Sequence, residues 1–314
     1  MTDIQTVRGP VPHDQLGVTL AHEHLITASP GLRQTFPWMF DDEADVARSA
    51  AELSEAKAAG IGTIVDVTTH DLGRAPHLVR QAAEHAGLNV VVATGIWLEI
   101  PRHLLVATAD DFDQLFTHEI EVGLEGAGCR AGIIKVANSD PPGVGEVQEA
   151  ILRGAARAAA RTRVPITTHT GPYAIGRDQM RIFADEGVDP SLVAIGHSFT
   201  SNLPYLHEVL ERGHYLSIDQ FNARREYAGV IRAIAILCAE GYASRILLSH
   251  DHSPVRATLP SGRVNGSPPP TSPTPYTFIP RVVRPALERQ GVSRADLDRM
   301  LVEAPATFLA GGRT

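Results

Sequence analysis

The stretch Gly17-Val18-Thr19-Leu20-Ala21-His22-Glu23-His24 is the first of eight similar runs that determine the fold. It is a short, mostly apolar run bounded by a glycine, which is typical of a buried strand, and it ends in polar residues. Seven further runs of this kind follow, each separated from the next by an amphipathic stretch with helical spacing. The eight predicted strands are 17–24, 63–68, 90–95, 132–136, 165–169, 192–197, 215–219 and 245–251.

The alternation of strands and helices predicts a parallel sheet, because each parallel crossover needs a helix to return the chain. Eight such units over about 250 residues favour one closed (β/α)8 TIM barrel, residues 1–314, over a doubly wound sheet. No Gly-rich GxGxxG or GxxxxGK motif follows a predicted strand, which argues against a nucleotide site. The predicted helices are 45–59, 76–86, 112–125, 147–161, 178–186, 203–212, 227–240, 278–290, 294–302 and 305–310.

The composition is that of a globular protein, with 43% hydrophobic and 20% charged residues. The net charge of −8 argues against nucleic acid or an anionic membrane as the main partner. Two cysteines, Cys129 and Cys238, lie far apart, which favours a reducing compartment over disulfides. Since we find neither a secretion signal nor an apolar run approaching ~20 residues, we expect a cytoplasmic protein without a membrane span.

Histidine is abundant, with 14 among 314 residues, and several histidines end predicted strands. A barrel brings the C-terminal ends of its strands to one face, so these residues should converge. One histidine at a strand end is usually a hydrogen-bonded core residue, but several imidazoles with a carboxylate are metal ligands. We therefore predict a metal centre, with Zn²⁺ favoured and Co²⁺ or Mn²⁺ as alternatives. The proposed ligand residues at the strand ends are His22, His24, His169, His197 and Asp251.

Lys135 lies in the fourth strand, flanked by Ile133, Ile134 and Val136. An ammonium group would repel cations, so a charged lysine does not suit a metal centre. The lysine could extend to solvent, but its apolar neighbours predict a buried strand. Carboxylation by CO₂ would resolve the conflict, because it would make Lys135 an anionic oxygen ligand able to bridge two metals.

These motifs together resemble the phosphotriesterase family of the amidohydrolase superfamily, from about residue 8 to residue 309. Besides residues 17–24, the matching motifs are ATGIW at 93–97, AGIIKVA at 131–137, THT at 168–170, IGHS at 195–198 and LSHD at 248–251. The resemblance implies a binuclear site in which His22, His24 and Asp251 hold one metal. His169 and His197 would hold the other, and carboxylated Lys135 would bridge them. The resemblance also implies a homodimer.

The expected reaction is hydrolysis of a small neutral ester. A hydroxide bridging two divalent cations would attack, one metal would polarise the substrate oxygen, and Asp251 would take the proton, so Asp251 and Lys135 are the expected catalytic residues. Phosphotriesters, lactones and carboxylic esters all fit this scheme. One alternative is a lactonase with phosphotriesterase activity only as a side reaction. Others are a non-catalytic small-molecule-binding barrel and a mononuclear amidohydrolase acting on C–N bonds.

The residues that separate branches of the family disagree. Trp97 resembles the organophosphate hydrolases, whereas His250, just before Asp251, resembles the lactonases. The positions of the phosphotriesterase proton relay are occupied by Thr200, or a neighbour, and by Gln220, so we do not expect that relay.

The predicted substrate pocket is formed by Trp97, Gln220, Phe221 and His250, with the Tyr276/Phe278 region as a further apolar wall. Arg224 and Arg225 could anchor a polar substrate group, although such a pair is more often the solvated start of a helix. The proline-rich stretch 254–278 is either an active-site loop or a surface excursion.

Overall fold

The computed structural model describes residues 3–138, 145–171, 173–257, 259–261 and 275–312. A short antiparallel hairpin precedes the barrel and is formed by β1 (Asp3–Thr6) and β2 (Gly9–Pro12). The strands that follow are β3 (Val18–Glu23), β4 (Ile26–Thr27), β5 (Ile61–Asp66), β6 (Asn89–Ile96), β7 (Ile133–Asn138), β8 (Ile166–Thr170), β9 (Val193–Ile195), β10 (Tyr215–Ile218), β11 (Ile246–Leu248) and β12 (Val255–Arg256).

The eight strands β3 and β5 to β11 form a nearly closed parallel barrel in which sequential strands are neighbours. β11 returns to lie against β3. The predicted TIM barrel is therefore confirmed, and each predicted strand corresponds to one barrel strand. The two remaining short strands, β4 and β12, pair in parallel with each other above the barrel mouth.

Helices cover the outside of the barrel, and their ends follow local capping signals. α3 has a proline at its first position and ends at Gly87, whose φ of 63° suits a C-terminal cap. The helices are α1 (Leu32–Thr35), α2 (Asp42–Ala58), α3 (Pro76–Ala86), α4 (Ala109–Glu121), α5 (Glu146–Thr162), α6 (Tyr173–Asp185), α7 (Leu203–Glu211), α8 (Ala228–Ala239), α9 (Arg284–Arg289), α10 (Arg294–Asp298) and α11 (Ala304–Leu309).

Several predicted helix boundaries differ from the structure; α2 begins at Asp42 and α6 at Tyr173, before the predicted residues 45 and 178. α4 begins at Ala109, before the predicted residue 112, because Thr108 and Asp111 form a capping box ahead of the apolar pattern. The predicted helix 278–290 is a π-helical turn, Ile279–Val283, followed by α9. Pro285 lacks the N–H that a regular α-helix would need at that position, and its ring crowds the preceding turn, which accounts for the wider turn.

The apolar core has two layers. Buried side chains such as Val91, Ile133 and Leu247 fill the inside of the barrel. α11 contributes Phe308, which packs against Tyr215 at the start of β10 and so covers the N-terminal end of the barrel. A larger cluster lies between strands and helices. The packed bottom leaves the C-terminal ends of the strands as the face where a site can form.

The proline-rich stretch predicted at 254–278 falls partly outside the described residues, at 258 and 262–274. Its first residues form β12, and its last include Tyr276, which is buried. Among the described residues, no helix is both long and apolar enough to cross a lipid bilayer.

Candidate metal centre

The six predicted ligand residues line one cavity of about 300 Å³ at the C-terminal face of the barrel. Lys135 and His169 lie within β7 and β8, and His197 and Asp251 lie just beyond β9 and β11. The fold therefore brings together side chains separated by up to 229 residues in the chain. His22 and His24, at the end of β3, complete the set.

One half of the centre is formed by His22, His24 and Asp251, whose donor atoms lie within 4.8 Å of one another. Oδ1 of Asp251 lies 3.2 Å from Nε2 of His24 and 3.9 Å from Nε2 of His22. Asp251 has a φ of 59°, a conformation that costs energy for a residue other than glycine. This strained backbone directs the carboxylate toward the two imidazoles.

The other half is formed by His169 and His197. Nδ1 of His169 lies 2.6 Å from Nε2 of His197, and the two rings meet edge to face. His197 is also left-handed, with a φ of 53°. These two nitrogens are in direct contact at the cavity wall, and imidazole nitrogens so close together are suitable donors for one shared cation.

Lys135 lies between the two halves, with its side chain almost fully buried. Its Nζ atom lies 2.7 Å from Nε2 of His22. Burial lowers the pKa of Lys135 to about 8, although the carboxylates of Asp219, Asp251 and Asp71 act in the opposite direction. A larger fraction of this amine is therefore neutral near pH 7 than for an exposed lysine.

Burial also keeps the imidazoles in the form that binds metals. Desolvation lowers the pKa of His22 to about 4 and that of His169 to about 2. Burial by itself raises the pKa of Asp251, but the hydrogen bond from His24 and the nearby histidines lower it below its ordinary value. Near neutral pH the site thus offers neutral imidazoles at His22 and His169 and an ionised carboxylate at Asp251, which are metal-binding forms.

Asp219 contacts two of the ligand candidates on the side away from the cavity, an arrangement that sequence reasoning missed. Its Oδ2 atom lies 2.8 Å from Nδ1 of His22, and its Oδ1 atom lies 2.6 Å from Nδ1 of His197. A carboxylate at Nδ1 fixes the tautomer, so that Nε2 of each ring is free to face the cavity. The sequence did contain a signal, because Asp219 is the last residue of the seventh predicted strand.

Glu23, between the two histidines of β3, is a second residue that was missed. It is fully buried and accepts hydrogen bonds from the Ser249 hydroxyl and from the backbone N–H groups of His250 and His252. The Ser249 hydroxyl also accepts the N–H of His22. Glu23 therefore helps to join β3 and β11 where the barrel closes.

Of the four predicted substrate-pocket residues, only Trp97 lines the cavity. Its ring packs edge to face against the His169 ring, with the centroids 5.5 Å apart. The N–H groups of Trp97 and Glu99 donate to the buried Asp71 carboxylate at 2.9 and 3.0 Å, which holds this wall of the cavity in place.

The prediction for Phe221, His250 and Gln220 does not agree with this structure. Phe221 is fully buried and packs against the ring of Phe199, 5.0 Å away. His250 turns away from the cavity, because its Nδ1 atom lies 2.6 Å from Glu23 and its Nε2 atom accepts the N–H of Ile279.

The polar residues that follow the sixth and seventh barrel strands, Thr200, Gln220 and Arg225, also lie outside the cavity. Gln220 accepts a hydrogen bond from Arg225, whose guanidinium stacks over Phe199. Thr200, at one of the predicted relay positions, bonds to the Tyr173 hydroxyl. Neither Arg225 nor Thr200 lines the cavity that contains the metal-ligand candidates.

Comparison with known proteins identifies the family. The model of the phosphotriesterase family matches residues 2–309. This chain belongs to the phosphotriesterase family. It is 38% identical to a phosphotriesterase homology protein of Mycobacterium tuberculosis, over 97% of each chain. It is 30% identical to an aryldialkylphosphatase of Saccharolobus solfataricus, over 94% of this chain and 95% of that one.

A solved structure, the phosphotriesterase from Mycobacterium tuberculosis, superposes on this fold with a TM-score of 0.89. It is 35% identical in sequence, and the match covers 98% of each chain. The protein is thus a phosphotriesterase-family hydrolase with candidate metal-binding groups at the barrel mouth.

Proposed function

We propose that this protein hydrolyses small substrates at an uncharged ester bond, such as that of a phosphotriester, a lactone or a carboxylic ester, with a binuclear metal centre. The observation that carries the proposal is the convergence of five metal-ligand side chains around one buried lysine in a single cavity. A carboxylated lysine in that place is most useful as a bridge between two metal ions, so it favours a binuclear centre over a mononuclear one.

The assignment of ligands follows the two halves of the centre. His22, His24 and Asp251 would hold one ion, His169 and His197 the other, and carboxylated Lys135 would contact both. The donor set fits Zn²⁺, Co²⁺ or Mn²⁺, since imidazole and carboxylate groups suit these borderline cations. The backing carboxylate of Asp219, close to both His22 and His197, supports the same assignment.

Carboxylation of Lys135 is a balanced reaction. The lone pair of the neutral amine forms an N–C bond to CO₂, and the nitrogen then loses a proton to water, which leaves a carbamate with one negative charge. The lowered pKa of Lys135 favours the neutral amine that this step needs.

The carboxylation has a direct test. The intact metal-loaded protein should be heavier than its sequence and its bound metal ions together by the mass of one CO₂, and acid should remove this mass. Metal binding and activity of a Lys135→Ala variant should recover when a short carboxylic acid such as acetate is added. Absence of both effects would refute the carboxylation.

A pair of divalent ions held by these residues would lower the pKa of bound water to about 7 and would polarise a P=O or C=O group. The chain's own residues would do the rest. Asp251, ionised at neutral pH, would accept a proton beside His24. Trp97 would hold the substrate against the wall next to His169. The cavity, about 300 Å³ in volume, suits a small molecule.

A kinetic comparison tests the proposal and orders its alternatives. Protein loaded with Zn²⁺, Co²⁺ or Mn²⁺ would be assayed with lactones, aryl esters and phosphotriesters. Turnover of any class with two metals per chain supports the proposal. A large preference for lactones would make the phosphotriesterase reaction a side activity. Tight binding without turnover would favour a binding protein, and one metal per active chain would favour a mononuclear amidohydrolase.

Two further expectations concern the setting of the enzyme. Both cysteines are free and buried, which supports our proposal of a cytoplasmic location. We also propose a homodimer, as the family resemblance implies. Light scattering after size-exclusion chromatography would measure the mass, and a monomer at micromolar concentration would contradict it.

A further inference from the structure

Arg256 is held at the mouth of the metal cavity by a short ribbon of two strands. β4 begins two residues after His24, and β12 begins four residues after Asp251, so both strands continue directly from metal-ligand candidates. The N–H of Val255 donates to Leu25, and the N–H of Ala257 donates to Thr27 at 2.8 Å. Arg256 is thereby paired with Thr27 and fixed beside the centre.

The charge of Arg256 is not neutralised by the described part of the protein. No described carboxylate lies within ion-pairing distance of its guanidinium, whereas Arg33, Arg74 and Arg153, for example, each have such a partner. The sequence from 252 to 287 contains four arginines and no aspartate or glutamate, in a chain with a net charge of −8. Arg256 is therefore a cation in the cavity wall without an ion-pair partner among the described residues.

The other charged groups of the cavity wall have defined partners or positions. The carboxylate of Asp71 already accepts the N–H groups of Trp97 and Glu99. Asp251 belongs to the metal centre, and Glu99 is exposed at the rim. Arg256 is exposed like Glu99, but it is the cation of the described lining that lies outside the metal centre and so remains available to an anionic ligand.

The lining near Arg256 has a mixed character that suits the remote end of a substrate. Ser29 places a hydroxyl in the same cavity, and apolar side chains lie close by. This combination would accommodate a short apolar linker that ends in an oxyanion. The apolar lining residues are Leu32, Met39, Leu72 and Leu259.

We propose that Arg256 is a specificity-determining residue, which binds a carboxylate, sulfonate or phosphate group at the end of the substrate remote from the scissile bond. The inference rests on the proposed function and names its substrate class: an uncharged ester or lactone linkage with a separate anionic group. A guanidinium binds such oxyanions with two parallel hydrogen bonds, which gives orientation as well as affinity.

A pair of substrates tests this proposal in the metal-loaded full-length protein. One is the 4-nitrophenyl monoester of glutaric acid, with a free carboxylate, and the other is the same compound with that carboxylate methylated. Both release the same leaving group. We expect wild-type protein to favour the free acid, mainly through a lower KM. Arg256→Gln should reduce this preference about ten- to hundredfold.

Arg225→Gln is the matched control, because Arg225 is bonded to Gln220 away from the cavity. It should leave the preference of the wild type unchanged. The proposal is overturned if wild-type protein prefers the methylated compound, or if Arg256→Gln and Arg225→Gln keep the same preference as wild type.

A binding measurement separates failure of this inference from failure of the proposed function. Calorimetric titration with glutarate needs no turnover, and affinity should fall at least about tenfold in Arg256→Gln. If neither ester is hydrolysed, the proposed reaction fails, but an affinity that depends on Arg256 still supports the anion site. Equal affinity of both proteins for glutarate, for ethanesulfonate and for inorganic phosphate overturns it.

Discussion

Glu23 fixes the position of Asp251 without a contact to its carboxylate. The Glu23 side chain accepts the backbone N–H groups of His250 and His252, the residues on either side of Asp251. It also lies 2.6 Å from Nδ1 of His250, whose Nε2 accepts a backbone N–H, so His250 is the neutral tautomer with its proton on Nδ1. A left-handed residue such as Asp251 persists only where its surroundings determine it, and Glu23 supplies much of that constraint.

Replacement of Glu23 by glutamine should therefore weaken metal binding. All four groups that face the carboxylate are donors, and an amide offers only one acceptor atom, so the NH₂ group would oppose a donor. We expect Glu23→Gln to lose about 1–3 kcal/mol of unfolding free energy and at least about tenfold in metal affinity. Chemical denaturation and competition with a chelator would measure the two effects.

Glu52→Gln is the control for this experiment, because Glu52 bonds to the ring of His252 rather than to its backbone. It should retain the metal affinity of wild type. If the two variants bind metal equally well, Glu23 does not position Asp251.

Asp219→Asn should also weaken metal binding, through the imidazoles. Asp219 contacts Nδ1 of both His22 and His197, and an amide can no longer hold both rings by charge. Loss of such a backing carboxylate costs about 10–100-fold in metal affinity. Metal content after dialysis against a graded chelator series would report the change.

Asp113→Asn, at a buried aspartate on α4 that pairs with Arg161, is the control. Equal metal retention in the two variants would contradict the role of Asp219.

The fold and the convergence of the ligand residues could be predicted because both depend on hydrophobic runs and on strand order. Each run ends in the residue that reaches the barrel mouth, so the position of His169 follows from the position of β8. Side-chain direction beyond a strand end could not be predicted in this way. β11 ends at Leu248, and the left-handed turn at Asp251 breaks the alternation of two.

This break explains why His250, contrary to the prediction, does not line the cavity. Simple alternation cannot say that Asp251 faces the cavity while its neighbour bonds to Glu23. The same limit applies to Phe221, which lies beyond the end of β10 and turns into the core. The role of Asp219 escaped prediction for a different reason, since a carboxylate behind two ligands is defined by contacts between strands and not by any local pattern.

His214 should make the protein less stable in acid. It is buried, and its Nδ1 atom has no hydrogen-bond partner among the described residues. Burial, with help from Arg212, lowers its pKa to about 4. The unfolded chain, with a pKa near 6.5, therefore binds the proton more readily. The stability associated with neutral His214 is complete above about pH 6.5 and is lost as the pH falls toward 4.

A His214→Gln variant removes this titration. Between pH 7 and pH 4, wild-type protein should lose on the order of 3 kcal/mol relative to the variant, as measured by urea denaturation of both proteins at each pH. The comparison cancels the acid titration of the metal ligands, which the two proteins share. A difference in stability that stays constant with pH would show that His214 does not titrate in this range.

Gly95→Ala should disrupt the strand that carries Lys135. Gly95 has a φ of 118° and pairs with Lys135 across β6 and β7, and an added Cβ would lie 1.9 Å from the Lys135 carbonyl oxygen. That oxygen belongs to the backbone and cannot move without a shift of β7. Strain of the backbone and overlap together should cost at least about 3 kcal/mol of unfolding free energy.

Gly126→Ala separates the two causes. Gly126 also has a positive φ, 68°, but nothing lies within 4 Å of an added Cβ, so only the backbone conformation opposes the change, at about 1–2 kcal/mol. Because the shift at Gly95 displaces Lys135, that variant should also lose bound metal, whereas Gly126→Ala should retain it. Denaturation midpoints and the metal content of the two purified variants would measure these effects. If both variants retain the same amount of metal, β7 can shift at Lys135 without weakening the metal centre.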